Sequence, residues 1–254
     1  MKKPCIIESP FEFIELRKQF QNKSVGFVPT MGALHEGHAT LLKQARKEND
    51  LVILSIFVNP TQFNDANDYS KYPQTFSTDL KLAEETEVDY IFTPSEKQMY
   101  SDNYHYRLTE NNFSKILCGE HRPGHFDGVL TVVMKLFHIV HPTKAYFGEK
   151  DFQQLNLIQN MVSSFFMDVQ IIPVATVREN DGLAMSSRNK RLSEKERLLA
   201  AKIYELSSSL ASSEEVQAGL NKLGFEVDYV KDIKNRRFIA AKLGDVRLID
   251  NVEI

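Results

Sequence analysis

Apolar positions in this chain recur with two periods, and the two alternate along it. Val25-Gly26-Phe27-Val28 is a short apolar run that predicts a strand, and Leu51 to Val58 is a longer, near-continuous one. A strand without polar alternation suits a parallel sheet covered on both faces. After the first run, Leu34, Leu41, Leu42 and Ala45 share one face at helical spacing. A helix is predicted from about Thr78 to Glu87, then a strand near Val88 to Phe92. Val129, Val132, Val133, Leu136, Phe137 and Val140 fall at i, i+3, i+4, i+7, i+8 and i+11, which predicts a strongly amphipathic helix. Its β-branched residues oppose that reading mildly. Ala145 to Phe147 and Val169 to Val177 read as strands, with a helix near Phe152 to Phe165 between them. Strands alternating with helices predict an α/β fold with a parallel sheet.

The texture changes after about residue 176. Ser193-Glu-Lys-Glu196 is a capping box that opens a helix, and Ser212-x-x-Glu215 opens another. Gly224 precedes a short strand, Phe225 to Tyr229. The expectation is a larger domain over residues 1–176 and a smaller α+β domain over 177–254, without internal repeats.

Composition narrows the class. The 254 residues are 42% hydrophobic and 26% charged, as in ordinary globular proteins. A net charge of −3 supplies no basic field, so no nucleic-acid partner is expected. Two cysteines, Cys5 and Cys118, make no disulfide framework or zinc motif. Lys2 and Lys3 are followed by Pro4 and Glu8, which does not read as a signal peptide. The longest apolar run is far short of the roughly 20 residues that span a bilayer. No membrane association and a cytoplasmic location are therefore expected.

Four segments carry candidate chemistry. Pro29-Thr-Met-Gly-Ala-Leu-His35-Glu-Gly-His38 follows a strand and opens a helix. A helix N-terminus offers unpaired N–H groups and a partial positive charge to phosphate. Gly32 lets the backbone approach a ligand, and Gly37 is read as leaving room for a base or ribose. His35 and His38 are three apart and share a helical face, from which two imidazoles can donate to an α-phosphate as charge builds there. HxGH also resembles a metal pair, but zinc needs further ligands and none is evident.

Asn59 and Gln62, in Ser55-Ile-Phe-Val-Asn59-Pro-Thr-Gln62-Phe63, end a buried strand, where α/β sheets bind ligands. Their amides suit a hydroxy-acid. Phe147-Gly148-Glu149-Lys150-Asp151-Phe-Gln-Gln154 supplies a lysine for phosphates and an acid that caps a helix or holds a ribose. Val177-Arg178-Glu-Asn-Asp-Gly-Leu-Ala-Met185-Ser186-Ser187-Arg188-Asn189 supplies hydroxyls and a guanidinium that can clamp phosphate oxygens and close as a lid. In Cys118-Gly-Glu-His-Arg122-Pro-Gly-His125, residues Arg122 and His125, with Lys135 further on, are read mainly as placing the loop. Lys234-Asn-Arg-Arg237 is read as a solvated face.

Strand–Gly–HxGH–helix marks the nucleotidylyltransferase superfamily. PTMGALHEGH, SIFVNPTQF, CGEHRPGHFDGVLTVV, FGEKDFQQL and VRENDGLAMSSRN together, in this order over residues 28–191, resemble the pantoate–β-alanine ligase family. The resemblance implies a Rossmann-like sheet with helices on both faces, a small C-terminal lid and a homodimer. It also implies ATP with Mg²⁺, and pantoate and β-alanine as substrates. Carried across, Met31, Gly32, Ala33, Leu34, His35, Glu36, Gly37 and His38 would line the ATP site. Gly148, Glu149, Lys150, Asp151, Val177, Met185, Ser186, Ser187 and Arg188 would complete it. His38, His35, Lys150 and Arg188 would be catalytic, Gln62 and Gln154, with Asn59, would hold substrate, and Asp79 would help place the metal. Gln74 stands where the family often has arginine, His138 and His141 replace Asn and Gln, and the short C-terminal region implies a reduced lid. Two rivals remain: an adenylyltransferase that moves AMP onto a phosphate, and a nucleotide-binding sensor without turnover.

Overall fold

The computed structural model describes residues 3–254; Lys2, used above against a signal peptide, lies outside the described residues. Strands β1 (Cys5–Ile7), β2 (Val25–Thr30), β3 (Leu51–Ile56), β4 (Tyr90–Phe92), β5 (Lys144–Gly148) and β6 (Gln170–Val174) form one sheet in the order β1-β4-β3-β2-β5-β6. Every pairing in it is parallel. β2 and β3 are buried along most of their length, as their unbroken apolar runs require. Apolar clusters lie on both faces. One holds Phe27, Ile53, Leu130 and Phe137, the other Val28, Leu42, Leu54 and Ile91. The α/β expectation, with a Rossmann-like sheet, holds.

The sheet's own register creates its ligand crevice. Strand order reverses direction at β2, with β3 on one side and β5 on the other. β2 pairs with β3 over its full length, but with β5 only through Gly26–Lys144 and Phe27–Ala145. The C-terminal ends of β2 and β5 therefore part. Open α/β sheets bind ligands at such a switch point.

Several sequence expectations shift. The helix after β2 runs Glu36–Glu48, so Leu34 precedes it and is buried in the loop instead. The helix expected from about Thr78 to Glu87 is met by Phe76–Glu85. The helix His125–Val140 is buried nearly all round, with His138 its exposed residue, so it is less one-sided than its pattern suggested. β6 stops at Val174, leaving 175–177 as loop.

Beyond residue 192, helices Glu194–Ala200, Lys202–Ser207 and Ser213–Lys222 precede β7 (Glu226–Ile233), β8 (Arg236–Leu243) and β9 (Val246–Glu253). Both predicted capping boxes form. The strands make an antiparallel meander, two strands more than expected. One side of this sheet packs on its own helices through Ile239, Val230 and Leu248. Tyr229, Phe238 and Ala240 join the main core instead.

Candidate active site

The mouth of the helix Glu36–Glu48 is built by its own two histidines. His35 is the N-cap, and its Nδ1 accepts from the Gly37 N–H at 3.1 Å. His38, one turn in, accepts at Nδ1 from the His35 N–H at 3.3 Å. The pair is a capping box made of imidazoles, with ring centroids 4.1 Å apart. A neutral ring whose Nδ1 accepts must carry its proton on Nε2. Burial, then the Lys150 charge, brings the His35 pKa down to about 4. Burial, then His35 and Lys150, brings His38 down to about 3. At neutral pH the helix mouth therefore holds two uncharged Nε2–H donors. A Cβ at Gly37 would lie 2.8 Å from the His35 ring, so this glycine makes room for the imidazole rather than for a base.

One cleft at the parted strand ends gathers the remaining groups. Met31, His35, Gly37 and His38 line it from the β2 side, and Gly148, Lys150, Asp151 and Gln154 from the β5 side. Val177, Met185, Ser186, Ser187 and Arg188 close it from the segment that follows β6, and Asn59 and Gln62 line its inner end. Arg188 donates to Asp68 at 2.9 Å, and Arg191 donates to the other oxygen of the same carboxylate at 2.9 Å. Ser186 accepts from the Arg188 N–H and caps the short turn that carries it. β9 pins the lysine loop, since Asn251 donates to the carbonyls of Glu149 and Lys150.

Comparison with known proteins decides what this arrangement belongs to. The family model described as pantoate–β-alanine ligase matches residues 6–253. The chain is 63% identical to the pantothenate synthetase of Bdellovibrio bacteriovorus over 249 residues, 98% of this chain and 99% of that one. It is 49% identical to the pantothenate synthetase of Legionella pneumophila over 241 residues, 94% and 96% of the two chains. The chain belongs to the pantoate–β-alanine ligase family. The crystal structure of the Francisella tularensis pantoate–β-alanine ligase, complexed with β,γ ATP and β-alanine, superposes with a TM-score of 0.94 at 44% identity, covering 98% of this chain and 97% of that one. The Thermus thermophilus pantothenate synthetase superposes at 0.90 with 37% identity, covering 98% and 99%.

Within this ligase fold some expected site residues do other work. Asp79 does not line the cleft. Its Oδ2 accepts from the Ala33 N–H at 3.0 Å, and its Oδ1 from the Leu34 N–H at 2.8 Å and the Thr75 hydroxyl at 3.1 Å. Both oxygens are occupied at 1% exposure, so the expected metal role is replaced by that of a positioning residue. It anchors Gly32 and Ala33, whose φ angles of 77° and 51° are left-handed and costly for alanine. Gly32, Ala33 and Leu34 thus shape the loop from below, Glu36 turns outward to Lys43, and Glu149 stays outside the cleft wall.

Asn59 is also spent internally. Its amide donates to Gln62 Oε1 at 3.1 Å and the Gly128 carbonyl at 3.2 Å, while its oxygen accepts from Tyr100 and Thr61. At the inner end of the cleft, Asn59 thus supports Gln62. Arg122 and His125 both donate to the Gln62 carbonyl, at 3.1 and 2.8 Å, so they do place this loop. Lys135 lies elsewhere, over the Tyr100 ring and beside Asp102. Arg237 is not solvated: it is 4% exposed and paired with Asp232. Gln74, His138 and His141 are exposed outside the cleft. The sequence reading missed Tyr72, Phe63 and the apolar wall of Val129, Val132, Val133 and Leu136. The last four were legible as a helix face, without a sign of what they faced.

Proposed function

We propose that this chain condenses (R)-pantoate with β-alanine, using ATP and releasing AMP and diphosphate through a pantoyl-adenylate. The observation that carries the reading is the pair of imidazoles, each accepting a backbone N–H at Nδ1, that shares one cleft with Lys150 and Arg188. A pantoate carboxylate oxygen attacks the α-phosphorus in line, and the bond to the β-phosphate bridging oxygen breaks. His35 and His38 donate to the α-phosphoryl oxygens, with Lys150 and Arg188 balancing the charge that accumulates. Gln62 and Gln154 hold pantoate against the apolar wall. The neutral amine of β-alanine then attacks the pantoyl carbonyl carbon, loses a proton, and AMP leaves with the former carboxylate oxygen. No covalent enzyme intermediate is required, and positioning supplies much of the rate.

Magnesium belongs to this reading as the companion of the triphosphate. Among the described residues no three His, Cys, Asp or Glu side chains converge, and Asp151 is the carboxylate that lines the cleft. That donor set fits an ion held mainly by phosphate oxygens and water, with Asp151 as its protein ligand. Bound there, it would neutralise charge on the departing diphosphate. The reading also takes residues 177–254 as a lid over 1–176, and includes a homodimer and a cytoplasmic location. No described helix is long and apolar enough to cross a membrane.

The test is exchange of labelled diphosphate into ATP. Exchange that requires pantoate and proceeds without β-alanine, followed by AMP release when β-alanine is added, is the expected result. Diphosphate release without exchange, or AMP transfer to a phosphate acceptor, would overturn the reading.

A further inference from the structure

A second cavity lies beside the cleft, between the turn at 64–71, the segment Ser186–Arg191, and strands β7 and β9. Arg122, Lys150, Asp151, Ser186 and Arg188 line both spaces, so the two share a wall. Arg191 and Arg247 also line the second cavity.

These guanidiniums are not equally satisfied. Arg188 and Arg191 share Asp68. Arg247, on β9, donates from Nε to Asp228 at 2.7 Å and from Nη1 to the Cys118 sulfur at 3.6 Å. Its Nη2 is sealed from solvent with no hydrogen-bond partner. Arg122 donates to the Gln62 carbonyl and contacts His125 Nε2 at 3.1 Å, both of them neutral groups. Burial, with Arg188 and Arg247 close by, brings the Arg122 pKa down to about 10, so it remains a cation at neutral pH. Arg122 is thus a half-buried cation with only neutral partners, and Arg247 beside it, although paired with Asp228, keeps one unused N–H. Asp250, on the same cavity, is taken up by Arg178.

We propose that Arg247 and Arg122 form the subsite for the carboxylate of the acceptor amino acid. The inference rests on the ligase reading above and assigns a part of the site that reading leaves open. The phosphates already have their own donors at the helix mouth, Lys150 and the Ser-Ser-Arg turn. Arg122 grips the backbone of Gln62, so the positive site adjoins the residue assigned to pantoate. An acceptor whose amine reaches the pantoyl carbonyl can place a carboxylate two methylenes away against these guanidiniums. Binding there requires the sealed Nη2 to turn toward that carboxylate, where the idle N–H gains a charged partner. The subsite joins the loop before the helix His125–Val140, which carries Arg122, to the meander, which carries Arg247. It also explains how the enzyme would select an amine bearing a carboxylate over a plain alkylamine.

The test uses Arg247→Met and Arg247→Lys in the full-length enzyme, with both half-reactions measured. Arg247→Met is expected to raise KM for β-alanine roughly 10- to 100-fold, the loss of a charge-assisted contact. Pantoate-dependent ATP–diphosphate exchange should stay within about twofold of the parent, since uniform loss of acceptor binding leaves the first step intact. Arg247→Lys should recover part of the KM, and propylamine, which lacks the carboxylate, should be used equally poorly by parent and variants. An unchanged KM for β-alanine in both variants overturns the proposal. So does exchange that falls in step with the overall reaction, or a raised KM for diphosphate, which would make diphosphate the anion bound there. If Arg247→Met does not fold, the lysine variant decides by the same readings. A parent enzyme with no exchange at all would overturn the ligase reading, and this one with it, before any variant is made.

Discussion

The loop Thr30–His38 and the segment Ser186–Arg191 face the same cleft, yet they are held in opposite ways. The loop is fixed by hydrogen bonds to its backbone: a buried carboxylate beneath it and a capping box at its end. None of these bonds has to break for a ligand to enter. The segment is tethered at the buried Asn189 amide, which donates to Glu179 and the Ala184 carbonyl, but its arginines are held by ion pairs, with Arg188 and Arg191 sharing Asp68, about a quarter exposed. Such pairs contribute little to stability and exchange readily for another anion. The difference separates two tasks. Donors that must already point at the reacting phosphate sit on the rigid side, and groups that must close over it sit on the side that can let go.

The comparison breaks most visibly at the histidines. His38→Ala should lower the pantoate-dependent exchange rate on the order of 100- to 1,000-fold, the usual cost of one preorganised donor. A loss under tenfold, measured in the same exchange assay, would mean the rigid side is not where the charge is stabilised. Next comes the support beneath it. Asp79→Asn replaces an acceptor with an N–H facing another N–H, and should cost roughly 2–3 kcal/mol of stability in chemical denaturation. It should also raise KM for ATP, although Asp79 touches no substrate. The smallest effect is expected across the cleft: Asp68→Ala should change stability by less than about 1 kcal/mol. A loss as large as that of Asp79→Asn would show that the segment is locked too.

Much of this was legible in sequence, for reasons that apply residue by residue. The runs at 25–28 and 51–58 had to be buried strands because no polar face interrupts them. Ser193 with Glu196, and Ser212 with Glu215, are local signals, and both formed as read. The failures depend on long-range contacts. Asp79 meets Ala33 and Leu34 across more than 40 positions of chain, so nothing near it in sequence distinguishes an anchor from a metal ligand. Asn59 is satisfied from Tyr100 and Gly128, equally far away. Arg237 looked solvated because its neighbours are charged; the hairpin that turns at Lys234, with φ 56°, folds it back on Asp232. That same turn lacks the Asn-Gly signature, so the β7–β8 hairpin gave no local signal, whereas Gly244-Asp245 between β8 and β9 is a hairpin pair that the reading passed over.

The claim on which the account depends is that His35 and His38 are both neutral and both carry their proton on Nε2. Nitrogen-resolved NMR of the labelled enzyme tests this directly, with each histidine assigned by substitution. Both rings should show an unprotonated Nδ1 and a protonated Nε2 from about pH 5.5 to 8, and should begin to charge only as pH falls toward the lowered values of about 4 and 3. A ring protonated on Nδ1, or one that titrates near its ordinary value of about 6.5, would contradict it.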